Sequence, residues 1–73
     1  MNAYNINLID EVVDEEVNTA LELFESVPAS AAIAAQSHPF GVRIFDRDAE
    51  ESVSVVRFTT LDAAREYFNS KAA

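Results

Sequence analysis

The chain has 73 residues, a formal net charge of −8, 49% hydrophobic residues, one glycine, two prolines and no cysteine. Such a composition supports one small apolar core, expected to span 1–73 as a single domain, and argues against disorder. It excludes disulfides, thiolate nucleophiles and thiolate metal sites, and no apolar run approaches the ~20 residues of a membrane-spanning helix.

Residues 3–8 alternate, with Tyr4, Ile6 and Leu8 pointing one way and Asn5 and Asn7 the other. This predicts a strand with one buried face. The N-terminus has neither a basic n-region nor a continuous apolar h-region, so no secretory leader is expected and the cytoplasm is the expected compartment.

Asp10–Val27, DEVVDEEVNTALELFESV, sorts into two halves when wound at ~3.6 residues per turn. Asp10, Glu11, Asp14, Glu15, Asn18, Glu22 and Glu25 share one arc, while Val12, Val13, Val17, Ala20, Leu23, Phe24 and Val27 share the opposite one. The pattern predicts an amphipathic helix with an almost purely anionic wet face, capped by Asp10. Its alternative start is Asp14, with Ile9–Val13 extending the first strand. Pro28 ends or kinks the helix, and the small residues 29–37 predict a second short helical segment before His38-Pro39 turns the chain.

Two strands follow. Phe40, Val42 and Ile44 alternate with Gly41, Arg43 and Phe45, and Val53 and Val55 alternate with Ser52 and Ser54. The parity change at Val56 and Phe58 predicts a bulge or burial on both faces. Asp46–Glu51 has the length of a hairpin loop. Thr59-Thr60-Leu61-Asp62 resembles a shortened capping box and opens a last helix with Leu61, Ala64, Tyr67 and Phe68 on its apolar side.

The expected fold class is therefore α+β in the order β-α-(α)-β-β-α. It would be a three-stranded antiparallel-type sheet with helices on one face, a truncated ferredoxin-like arrangement. The outer edge of the N-terminal strand is left free in such a topology, open to pairing with a partner.

No residue pattern specifies a reaction. Asp46-Arg47-Asp48 begins like a calcium loop, but Glu51 replaces its glycine and Arg57 its terminal glutamate. His38 is a lone histidine in a turn, and one glycine cannot build a phosphate loop. No metal, no cofactor and no enzyme activity are expected.

Charge carries the functional expectation. Residues 1–42 hold seven acids and no lysine or arginine, whereas 43–73 hold six acids and five bases. The i,i+4 acid pairs of a helix over 10–27 would each cost ~0.2–0.5 kcal/mol. A face kept anionic at that cost points to a basic protein partner and away from direct nucleic-acid or membrane contact. Carboxylates one turn apart, at about 5–6 Å, are spaced like phosphates along a strand. In size and charge the chain looks like the small acidic inhibitors of phages and mobile elements, such as anti-CRISPR and DNA-mimic proteins. That resemblance implies a nucleic-acid-handling partner and transfers no residue. Tyr4, Ile6 and Phe45 are further interface candidates, and a homodimer pairing through Ala3–Leu8 is the alternative function.

Overall fold

The computed structural model describes residues 3–72. Strands β1 (Tyr4–Asp14), β2 (Thr19–Pro28), β3 (Phe40–Asp46) and β4 (Glu51–Phe58) form an antiparallel sheet in the order β1-β2-β3-β4. Helix α1 (Leu61–Ala72) packs across one face of it. This four-stranded meander with one helix overturns the expected three-stranded, multi-helix, ferredoxin-like arrangement.

The main correction falls on Asp10–Val27, which is a β-hairpin. Asp10 pairs with Leu23, Val12 with Leu21 and Asp14 with Thr19. Two residues turn the chain. The Asp14 carboxylate accepts the Glu16 N–H at 3.0 Å, and Asn18 takes a left-handed conformation with φ 52°. Asparagine tolerates that region better than most side chains, because its short amide bonds locally. The helical reading failed because ALELF of β2 is apolar on both faces. A central strand with two covered faces loses its alternation and mimics one side of a helix. The β-branched Val12, Val13, Thr19 and Val27 and the unrelieved acid pairs both favour the strand. Of the sequence alternative, the extension of β1 through Ile9–Val13 matches the observed strand, and the helix starting at Asp14 does not.

Residues 29–39 form turns and irregular backbone, not a second helix; Ile33 N–H donates to Ser30 C=O at 3.2 Å. Pro28 and Pro39 confine this segment to a length at which an isolated helix is marginal.

The β3–β4 hairpin matches expectation in place and loop, but the bulge or two-sided burial expected at Val56 and Phe58 is absent: pairing is regular from Ser54 to Phe58, and the irregularity lies at Val53, opposite the Ile44/Phe45 step. The C-terminal helix also matches, and Ala63 N–H donates to the Thr60 hydroxyl at 3.2 Å as its N-terminal cap. Leu23, Val42, Ala64 and Phe68 form the core between sheet and helix, bordered by Ile9, Leu21, Phe40, Phe58 and Tyr67. Burying a leucine, valine or phenylalanine side chain in such a core contributes about 1.5–3 kcal/mol.

Among the described residues, the opposite sheet face has no helix over it. Register places Leu8, Glu11, Glu22, Phe24, Gly41, Arg43, Val55 and Arg57 there. At one end the segment 29–39 folds onto this face: Tyr4 Oη donates to Ala34 C=O at 2.7 Å, and Arg57 reaches Gln36 at 2.9 Å. The expectation that Tyr4, Ile6 and Leu8 point into a core is therefore corrected. They lie on the helix-free face, where Ile6 is 46% and Leu8 52% exposed.

Candidate protein-binding surface

The seven residues expected to share one anionic helix face do not share a face. Asp10 lies on the helix side and accepts Arg65 Nη1 at 2.8 Å. Glu25 is also on the helix side, paired in register with Asn7 and Phe40. Glu11 and Glu22 face each other on the helix-free side, where buried Glu22 accepts Arg43 Nε. Asp14, Glu15 and Asn18 belong to the β1–β2 turn. The hairpin splits them because adjacent strand residues point to opposite faces, whereas a helix gathers residues three and four apart. Phosphate-like spacing along one ridge is lost with the helix.

A different concentration of charge replaces it. The β1–β2 and β3–β4 turns lie at the same end of the sheet, since Thr19 pairs with Asp46 and Asp46 with Glu51. They are tied together directly. Arg47 N–H donates to Asn18 C=O at 3.1 Å, and Asn18 Nδ2 donates to Asp48 Oδ1 at 2.7 Å. Asp14, Glu15 and Glu16 in one turn thereby meet Asp46, Asp48, Glu50 and Glu51 around the other. Arg47 and Lys71 are the bases at this end. Residues 26–40 carry no carboxylate, lysine or arginine, so the segment that joins β2 to β3 at the other end adds no acid.

The two turns follow one local rule. In each, an aspartate accepts backbone N–H groups two or three residues ahead, and the residue four ahead is left-handed: Asp14 with Asn18, and Asp46 with Glu50 at φ 56°. The repeated pattern D-x-x-x-[N/E] between strand-like runs was the missed signal. Read as a turn, it moves Asp46, Asp48, Glu50 and Glu51 onto the same surface as Asp14–Glu16.

An apolar groove of about 340 Å³ adjoins this end, lined by Val12, Leu21, Ile44, Ala72 and Thr19, with Asp14 and Lys71 at its polar margin. It exists because twelve helical residues span only about 18 Å, whereas an eleven-residue strand runs about 36 Å, so α1 ends before it covers the hairpin end.

On the helix-free face, Glu11 has its carboxyl pKa raised above the ordinary carboxylate value. A side-chain hydrogen bond with Glu22 is the largest cause, followed by desolvation and the Glu22 charge, with Arg47 acting in the opposite direction. The expected interface aromatic Phe45 also lies on this face, half-buried, with the Arg43 guanidinium 5.4 Å from its ring.

Among the described residues no group of three or more His, Cys, Asp or Glu is placed to hold a metal ion, and no helix is long and apolar enough to cross a membrane. Comparison with known proteins finds no match: no family model fits the sequence, no curated protein aligns with it, and no solved structure aligns with the fold.

Proposed function

We propose that the chain is a small protein-binding module, acting by occupancy rather than catalysis, whose anionic hairpin end docks on a basic protein surface. The observation that carries this reading is the fastening of two acidic turns at one end of the sheet, with Arg47 bonded into the junction and the apolar Val12–Leu21–Ile44 groove beside it. Concentrated charge speeds encounter and selects against acidic partners, and a neighbouring apolar seat supplies contact energy that exposed charge does not. A nucleic-acid-handling partner in the cytoplasm, from which the module displaces nucleic acid as an inhibitor of phage or mobile-element type, is the finer form of the proposal. It rests on charge alone.

The test is binding to immobilised poly-L-lysine and to purified basic nucleic-acid-binding proteins, with and without competing duplex DNA. Glu15→Lys/Glu16→Lys should weaken binding at least tenfold. Glu25→Lys/Glu66→Lys changes net charge equally, away from the turns, and should weaken it far less. Equal loss in both variants would mean that binding follows net charge only, and the docking end would be refuted.

A second reading has its own supporting observation. β1 is an edge strand, exposes Ile6 and Leu8, and among the described residues has no strand on its outer side. Under this reading the chain is a small homodimeric subunit or adaptor that pairs through that edge.

A further inference from the structure

We infer that two copies of this chain pair antiparallel along β1, about a two-fold axis at Ile6. The inference rests on the second reading above and commits it to a register.

Backbone parity comes first. Ala29 N–H donates to Ala3 C=O at 3.0 Å, and β1 pairs with β2 in unbroken register from Tyr4 to Leu8. In an antiparallel ladder, hydrogen-bonded pairs alternate with non-bonded ones. Ala3, Asn5 and Asn7 therefore turn their N–H and C=O groups toward β2. Tyr4, Ile6 and Leu8 turn theirs outward. Pro28 agrees with this parity: opposite Tyr4, it occupies a position from which no N–H is required.

Charge then selects the register. Residues 3–9 carry none, whereas the acids Asp10, Glu11 and Asp14 follow, of which Asp10 is paired with Arg65. Centring the two-fold axis at Val12 sets Asp10 against Asp14, and centring it at Glu11 sets that residue against itself; like charges directly opposite are destabilising. The bulge between Leu8 and Asp10 ends the regular edge before those residues. Centred on Ile6, the segment 4–8 pairs with itself. Tyr4 lies opposite Leu8 of the second copy, Ile6 opposite Ile6 and Asn5 opposite Asn7, with every outward donor of the segment matched to an outward acceptor. The exposed Ile6 and Leu8 side chains become cross-strand neighbours on the helix-free face. The two Asp14 residues end up about 50 Å apart at ~3.3 Å per residue, far beyond the ~8 Å screening length at physiological salt.

The other edge is less suited. On β4 the same alternation leaves Val55 and Arg57 outward, and the irregularity at Val53 interrupts the run.

The chain has no cysteine, so single-cysteine variants read the register directly. A hydrogen-bonded antiparallel pair has Cα atoms about 5.5 Å apart, within disulfide reach. Under mild oxidation the Ile6→Cys chain should form a covalent dimer on a non-reducing gel. Tyr4→Cys and Leu8→Cys should each remain single chains alone and form a disulfide heterodimer when mixed. Ile6→Pro removes an outward N–H that makes no bond among the described residues. It should keep its circular dichroism and lose the dimer in light scattering. Self-crosslinking at position 4 or 8 in place of 6 would overturn the register while leaving edge pairing intact. A wild-type dimer that survives Ile6→Pro would place pairing elsewhere and overturn the inference. A wild-type monomer at all concentrations would remove both the inference and the homodimer reading.

Discussion

The Phe24 ring lies against Gly41, its cross-strand neighbour, so closely that a β-carbon on Gly41 would fall 2.4 Å from Phe24 Cζ. Arg43 and Arg57 stand with their guanidinium carbons 5.7 and 5.4 Å from the same ring. The lone glycine thus serves as a slot that lets a large aromatic lie down on a sheet face with no helix above it. Phe24 is only 2% exposed as a result.

Gly41→Ala should therefore lower stability by about 1–3 kcal/mol, the usual cost of overpacking a filled site. Urea denaturation measures it. Adding Phe24→Leu should recover part of the loss, and the double-mutant cycle should give a coupling of at least ~0.5 kcal/mol.

Glu11 makes stability depend on pH. Its folded pKa is raised, chiefly by the hydrogen bond with Glu22, so between the ordinary and the raised value the folded chain binds more protons than the unfolded one. The Glu11 contribution is then fully present below the ordinary value of 4.5 and is lost as pH rises through the raised one. Glu11→Gln should be more stable than wild type at pH 7 and should show a flatter dependence of melting temperature on pH above the ordinary carboxylate value. An unchanged slope would show that Glu22 does not raise the Glu11 carboxyl.

Glu50 occupies left-handed backbone with φ 56°, where a β-carbon costs roughly 1–2 kcal/mol. Glu50→Gly should relieve much of that and raise stability by about 0.5–1 kcal/mol after the entropy lost by glycine. Asn18→Gly should gain less, because Asn18 also donates to Asp48.

Leu23 is fully buried at the centre of the core, while Val53 is 65% exposed on an edge strand. Leu23→Ala should cost about 2–5 kcal/mol, enough to unfold much of so small a domain. Val53→Ala should change stability by no more than ~0.5 kcal/mol.

Where local pattern and final environment agree, the sequence was readable. The β3–β4 hairpin alternates and has a polar loop of the right length, and α1 follows a threonine cap with Ala64 and Phe68 four apart. The free outer edge of the first strand was also readable, although the topology argued for it was wrong. Nothing local told ALELF apart from one side of a helix, because Leu21, Leu23, Ala20 and Phe24 become covered on both sides only once α1, Arg43 and Arg57 are in place. The binding surface inherited that error. In a helix Asp10, Glu11, Glu22 and Glu25 would have stood together; in the hairpin they divide between two faces, and Asp46, Asp48, Glu50 and Glu51 join Asp14–Glu16 instead.

By itself the sequence determined how much negative charge the molecule carries, that its first forty-two residues hold no lysine or arginine, and that it has no thiol chemistry. Tertiary structure decided which carboxylates are neighbours. Strand pairing brings together residues distant in the chain, and side-chain direction reverses at every step along a strand, so charge position became known only when the register of β1, β2 and β3 was known.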